Sequence, residues 1–406
     1  MKHLKVLLPA FILLYSLQQP VFSATPDARK MKGIVEEGLA FSARQEMLLY
    51  ESVKDIEGRL PNTARDGKLI TCPSSDWVSG FTPGALWYLY EYTGDPAILA
   101  AAEDLTGRIA PEQYNKNSHD VGFMVNCSFG NGYRLTGRED YRQVLVNAAN
   151  SLATRFNPEV GCTRSWRPRP EKGWDFVVII DNMMNLELLT FASRLFGVPE
   201  WEEMAKSHAD VTMANHFRED ASSYHLLEYD LTTGEVLVKK TVQGFSDSSS
   251  WSRGQSWGLY GYTMMYRETG EKRYLHHAEK IARYLLPLLK DRPVPAWDFS
   301  APQPMSSQDD ASAAAVMASA FIELATLTKD KALAGRCIRQ AEAMLEVLSS
   351  PGYLSAKGEN GGFLIKHGTG FYMKGKEVDA PLSYADYYYL EALYRYKVKK
   401  AAILEG

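Results

Sequence analysis

Cysteine is scarce, with four in 406 residues, at Cys72, Cys127, Cys162 and Cys337. They are widely separated and form neither a CxxC pair nor the Cys/His spacing of a metal site. A disulfide framework is excluded, and the four read as buried small apolar residues. No metal and no cofactor are predicted. Strong charge of one sign is also missing. A formal net charge of −4 supplies no basic field for nucleic acid or an anionic membrane. An acidic ligand would have to be met by locally gathered cations, so each arginine near a candidate site matters. Long apolar runs are absent as well. The exception at the N-terminus, Val6 to Leu17, is about 12 residues, too short to span a bilayer. It follows the basic start Met1 to Lys5 and precedes Val21-Phe22-Ser23-Ala24, small residues of the kind a signal peptidase reads. Residues 1–23 are therefore predicted to be a cleaved signal peptide that exports the protein to the periplasm, without stable membrane insertion.

What is present is helix. The chain is 45% hydrophobic and 23% charged, ordinary for a globular protein with a large core. Aromatic-rich helical patterns end in short turns after which another helix begins at once: Tyr90-Glu91-Tyr92-Thr93-Gly94-Asp95, Tyr133-Arg134-Leu135-Thr136-Gly137-Arg138 and Tyr266-Arg267-Glu268-Thr269-Gly270-Glu271. Phe196-Gly197-Val198-Pro199-Glu200 and Leu327-Thr328-Lys329-Asp330 are weaker copies. Glycine ends a helix in the left-handed conformation at little cost, and an acidic residue suits the start of the next. Apolar periodicity predicts twelve helices, near 31–56, 83–93, 95–108, 119–135, 138–156, 182–196, 199–216, 253–268, 271–290, 310–328, 330–349 and 384–398. Six hairpins can bury their apolar faces by closing into a ring, so the prediction is all-α: an (α/α)6 barrel spanning 24–406 as a single domain. A long helix bundle is the alternative. Strand-like patterns at 224–229 and 235–242 predict a β-hairpin, which cannot join the ring and should lie over one end. Long connections at 57–82, 157–180, 217–252, 291–309 and 350–383 hold much of the Trp, Pro, Gly and Ser, as functional rim loops do.

Two aspartates stand at helix starts after loops. Asp120 lies in Ser118-His119-Asp120-Val121-Gly122-Phe123, and Asp181 follows the apolar run Phe176 to Ile180. Aspartate is a preferred N-cap, which alone would explain either one. A charge directly after five apolar residues is nevertheless an odd place for a merely solvated group. If both starts face one cavity, burial raises one carboxyl while hydrogen bonds at its helix end keep the other ionised, the division that general acid catalysis requires. Trp251-Ser252-Arg253-Gly254-Gln255-Ser256-Trp257 carries a polar loop into a helix. Arg253 and Trp257, four apart, share a face and could offer a carboxylate clamp beside a sugar-stacking indole.

With these stretches together, the sequence resembles the unsaturated glucuronyl hydrolases of glycoside hydrolase family 88. The resemblance rests on Asp76-Trp77-Val78-Ser79-Gly80-Phe81-Thr82-Pro83-Gly84, His119-Asp120-Val121-Gly122-Phe123, Ile180-Asp181-Asn182-Met183-Met184-Asn185-Leu186, the Trp251 to Trp257 run, Trp297-Asp298-Phe299 and Asp386-Tyr387-Tyr388-Tyr389-Leu390-Glu391-Ala392-Leu393. It implies an (α/α)6 barrel and metal-free hydration of the C4=C5 double bond of a non-reducing-end unsaturated uronic acid on a lyase-generated oligosaccharide. Asp181 is then the general acid/base that protonates C4 and assists water at C5, and Asp120 is the second essential aspartate. Trp77, His119, Trp166, His225, Gln243, Arg253 and Trp257 carry over as substrate-binding positions, with Arg253 and Gln243 as donors to the uronate. Val242 stands where some relatives have histidine. The segment Lys366 to Lys376 could form a sulfate-contacting rim, although a solvated loop is the simpler reading. The rival functions are rhamnogalacturonyl hydrolysis of pectin fragments and sugar binding without catalysis.

Overall fold

The computed structural model describes residues 28–405; the segment 1–23, expected to be a signal peptide, lies outside them. In chain order the helices are α1 (Ala28–Val53), α2 (Phe81–Thr93), α3 (Pro96–Gly107), α4 (Val121–Val125), α5 (Asn131–Thr136), α6 (Glu139–Ala153), α7 (Asn182–Phe196), α8 (Pro199–Asn215), α9 (Ser252–Thr269), α10 (Lys272–Leu289), α11 (Ala311–Leu327), α12 (Lys331–Leu348) and α13 (Ser383–Glu405). A single π turn, Asn126–Gly130, joins α4 to α5, so the two act as one bent helix. Helices α2, α4–α5, α7, α9, α11 and α13 pack each against the next and close on themselves. The remaining six lie outside, giving the expected (α/α)6 barrel.

Composition sorts the two rings. The inner α9 is buried from Ser252 to Met265 and α11 from Ala311 to Leu324, and alanine-rich α11 lets its neighbours approach closely. The outer α10 is amphipathic: Tyr274, Leu275, Ala278, Ile281, Ala282 and Leu285 face inward while charged residues face out. Helix termini follow the turn chemistry. Gly94, Gly137, Gly197 and Gly270 all adopt positive φ at helix ends. Asp95 and Asp330 accept capping hydrogen bonds from Ala97 N and Leu333 N. All four cysteines are buried free thiols.

Because inner and outer helices alternate, the inner six run parallel, and their N-termini share one end of the barrel. The inserted strands collect with the loops that enter these helices. The predicted hairpin forms as β6 (Leu226–Tyr229) and β7 (Val236–Lys240), paired with a strand that periodicity missed, β5 (Phe176–Ile179), in the order β5-β6-β7. β5 is the apolar run before Asp181. It aims that residue because Ile179 pairs with Leu226 and the Ile180 amide donates to the His225 carbonyl. Of the connections expected to be irregular, 57–82 contains β1 (Arg59–Arg65) and β2 (Lys68–Pro73), 157–180 holds a short pair, β3 (Phe156–Asn157) with β4 (Cys162–Thr163), and 350–383 contains β8 (Gly368–Phe371) and β9 (Lys376–Ala380). Away from this end, a partly buried ionic network lines a cavity of about 250 Å³ among the inner helices. Arg267 bonds Glu323 at 2.8 Å and also Glu187, and Arg395 bonds Glu323 at 3.0 Å and Glu391 at 3.2 Å. Arg267, in the last turn of α9, suits the negative end of that helix's dipole.

Candidate active site

Asp120 and Asp181 occupy the positions just before α4 and α7, where an aspartate normally caps. Neither side chain accepts a capping hydrogen bond. Both carboxyls turn instead into one cavity of about 160 Å³, lined also by Trp77, His119, Trp166, Ile179, Gln243, Arg253, Gly370, Phe371, Lys376, Glu377 and Tyr384.

Burial dominates the electrostatics. Asp181 is 8% exposed. Burial first, then the neighbouring Asp120 charge, push its carboxyl up to about 7, with Arg253 and the Trp257 indole opposing. Asp120 is raised by burial to about 6, opposed by its hydrogen bond from Ser118 Oγ at 2.8 Å and by Arg155. Its carboxylate is thus supported by Ser118 from the preceding loop, not by its helix end as the sequence reading had it. His119 is buried and held well below its usual range by desolvation and by Arg155, hence neutral. Asn185 Nδ2 lies 3.2 Å from His119 Nδ1, which places the imidazole proton on Nε2, 3.3 Å from Asp120 Oδ1. His225 is pushed by burial down to about 3, and its neutral ring sits with Nε2 3.7 Å from Asp181 Oδ2.

Asn185 is the residue that sequence reasoning quoted in a motif but assigned no task. Its Oδ1 accepts from the Phe123 amide at 2.8 Å, and its Nδ2 donates to the Asp181 carbonyl at 3.3 Å as well as facing His119. One side chain thereby ties the start of α4 to the start of α7. The helices touch so closely there that a Cβ on Gly122 would lie 2.6 Å from Asn185 Cα. The legible signal was spacing: Asn185 lies one helical turn after Asp181.

Seven of the nine residues singled out from sequence line the cavity: Trp77, His119, Asp120, Trp166, Asp181, Gln243 and Arg253. His225 and Trp257 stand behind it, at 1% and 0% exposure. Arg253 differs most from expectation. Its Nη1 donates to Asp310 Oδ2 at 2.6 Å and to the Thr369 carbonyl, and its Nη2 donates to the Gly370 carbonyl at 2.6 Å and to Gln243 Oε1 at 3.4 Å. Much of its hydrogen-bonding capacity therefore goes to tying α9, α11 and β8 together. Its stacking partners are Trp251 and Tyr384 rather than Trp257. Trp257 packs on Phe123 and Tyr388 instead. Val242 packs behind Trp166 and Trp174 in an apolar cluster. Of the basic side chains in the Lys366 to Lys376 segment only Lys376 reaches the cavity wall; Lys366 donates to the Pro351 carbonyl at 2.8 Å and His367 pairs with Asp379. Tyr384, at the start of α13, was not foreseen.

Several buried polar atoms at the site make no hydrogen bond: Asp181 Oδ2, His119 Nε2, both His225 nitrogens, Trp257 Nε1 and Tyr384 OH. Such atoms are costly inside a protein unless a ligand or water completes them. Six helix N-termini converge on the same end and favour an anion there. Among the described residues, no three His, Cys, Asp or Glu side chains gather as metal ligands would, and no helix is long and apolar enough to cross a membrane.

Residues 52–320 match the model for Glycosyl Hydrolase Family 88. The chain belongs to this family. An unsaturated glucuronyl hydrolase from Formosa agariphila is 42% identical over 327 residues, covering 80% of each chain. One from a Bacillus species is 34% identical over 353 residues, covering 85% of this chain and 92% of the relative. The crystal structure of an unsaturated glucuronyl hydrolase specific for heparin superposes with a TM-score of 0.87 at 44% identity, covering 92% of this chain and 99% of that one. The family fold is the barrel described above.

Proposed function

We propose that the protein releases the non-reducing-end 4,5-unsaturated uronic acid from oligosaccharides left by polysaccharide lyases, with glycosaminoglycan fragments as the substrate class. The observation that carries this reading is the convergence of Asp120 and Asp181, uncapped, on one cavity where Asp181 is raised to about 7. A carboxyl so raised is largely protonated just below neutrality and can hand its proton to the sp² carbon C4. The cation left at C5 is stabilised by the ring oxygen and takes water, whose proton returns to carboxylate. The resulting hemiketal opens to a ketone, and the freed hemiacetal at C1 expels the leaving sugar as an alcohol. Neutral His119 and His225 add no positive charge that would drive Asp181 to ionise.

The relatives named above, glucuronyl hydrolases including one specific for heparin, support the substrate class. Export to the periplasm belongs to the same reading, supported by the basic start, apolar run and small residues of 1–23. The test is loss of the ultraviolet absorbance of the conjugated double bond when purified protein meets unsaturated disaccharides. Asp181→Asn should lower the rate by about 10² to 10⁴ with the helical circular dichroism intact. Wild-type protein that binds these disaccharides and leaves the chromophore unchanged would refute the assignment in favour of sugar binding.

A further inference from the structure

Beside the catalytic cavity lies a second, open depression of about 490 Å³, whose wall includes Glu112, Tyr114, Asn115, Asn117, Ser118 and Arg167. Two short links join the spaces. Ser118, in the depression, donates through Oγ to Asp120 Oδ2. Arg167, also in the depression, directly follows Trp166 of the cavity wall. Apart from Ser118, which supports Asp120, none of the six contacts the two aspartates.

Their character suits carbohydrate. Tyr114 is 67% exposed, unusual for a large aromatic, while its hydroxyl is met by Asn147 Nδ2 at 3.4 Å. A ring left to solvent and tethered at its tip can pack against the C–H face of a sugar. The one carboxylate, Glu112, is 6% exposed, and its two oxygens accept from Ser74 Oγ at 2.6 Å and Asn115 Nδ2 at 2.7 Å. Its charge is therefore turned into the protein. Arg167 is exposed, and among the described residues no carboxylate pairs with it. Nearby Arg155 is buried and spends its donors on the Lys116, Arg164 and Ser165 carbonyls. Arg167 is thus the cation that this wall offers to a ligand, in a chain whose net charge is −4.

We propose that the depression is a second saccharide subsite, taking the sugar on the leaving side of the scissile bond and those beyond it. In it Tyr114 is the platform, and Arg167 binds an anionic substituent, sulfate or carboxylate, on those sugars. The proposal rests on the release of an unsaturated uronate argued above. A guanidinium can take either oxyanion through paired N–H donors.

The experiment compares wild type, Arg167→Gln, Arg167→Lys and Tyr114→Ala on three substrates. These are an unsaturated disaccharide with an unsulfated leaving sugar, its sulfated counterpart, and an unsulfated unsaturated tetrasaccharide whose third sugar carries a carboxylate. If Arg167 reads sulfate, Arg167→Gln lowers the sulfated-to-unsulfated ratio of kcat/KM about fivefold, through KM, and Arg167→Lys keeps most of it. If it reads carboxylate, the same loss appears in the tetrasaccharide-to-disaccharide ratio. Tyr114→Ala lowers the tetrasaccharide ratio. Arg167→Gln and Tyr114→Ala variants that leave every ratio unchanged, including variants that slow all three substrates equally, would overturn the subsite while leaving the functional reading intact. Wild type inert toward all three would sink the functional reading and the subsite with it.

Discussion

Hydrogen-ion concentration is the sharpest perturbation of this site, because the productive form is one of several protonation states. Catalysis by the route above needs Asp181 protonated and Asp120 ionised. Their carboxyls lie near about 7 and about 6, and the two steps belong to the pair rather than to either residue alone. With those values the productive form peaks midway, near pH ~6.5, at roughly 60% of the enzyme. At about pH 4.5 and about pH 8.5 it falls to roughly 3%, a loss of about twentyfold on each side. The assay is kcat/KM for an unsaturated disaccharide across this range, followed by loss of the double-bond chromophore. Asp120→Asn supplies the second arm. Removing the neighbouring negative charge takes away the second-largest force raising Asp181, so the alkaline limb of the residual activity must move to lower pH. The acid limb, which requires an ionisable group at position 120, must disappear. A profile flat from about pH 5 to about pH 8 would refute the assignment of these carboxyls. So would an alkaline limb that stays put or climbs in the variant, since that would mean Asp181 does not feel Asp120.

Two further outcomes follow from the packing. Asn185→Leu leaves the Phe123 amide and His119 Nδ1 without their partner, which should cost about 2 to 4 kcal/mol of stability and lower kcat more than it raises KM; denaturant melts and steady-state kinetics check both, and unchanged values would show that the brace is idle. Glu46 and Asp386 are buried together, and burial raises both, Asp386 to about 8 while its oxygens accept the Leu364 and Ile365 amides. Carboxyls raised on folding hold protons that the unfolded chain gives up near 4, so their contribution to stability declines as pH climbs from about 4 to about 8. Glu46→Gln carries no such charge, so its advantage in Tm over wild type should widen with pH, and a gap constant from pH ~5 to ~8 would contradict the raised pair.

The barrel was legible because its hairpins carry their own punctuation. Twelve helices were expected and all appear, the one near 119–135 as α4 and α5 joined by the π turn and the last running on past 398 to Glu405, since Gly94, Gly137, Gly197 and Gly270 mark helix ends by local backbone chemistry that tertiary context does not override. The rim strands were harder. β1, β2, β8 and β9 lack clean alternation, and β9 contains Glu377 and Asp379 at positive φ, a conformation that no propensity scale would assign to a strand. β5 reads as an apolar run of four, too short for periodicity to separate strand from helix.

At the site the same distinction between local and distant causes applies. Asp120 and Asp181 could be found because they sit at helix starts, but capping explained them equally well from sequence. What separates them from the true caps Asp95 and Asp330 is the absence of a capping hydrogen bond, which depends on where the cavity lies. Arg253 shows the converse. Its proximity to an indole was readable, but its acceptors Asp310, Thr369 and Gly370 lie 57, 116 and 117 residues away. Pairings at that separation have no sequence signature. Local supports such as Ser118 beside Asp120 and Asn185 one turn after Asp181 leave a trace in the spacing, whereas the distant partners of Arg253 leave none. Asp120, Asp181 and Arg253 all come from the starts of inner helices, and Arg253 in particular is fixed by Asp310, Thr369 and Gly370, which join the ring later in the chain.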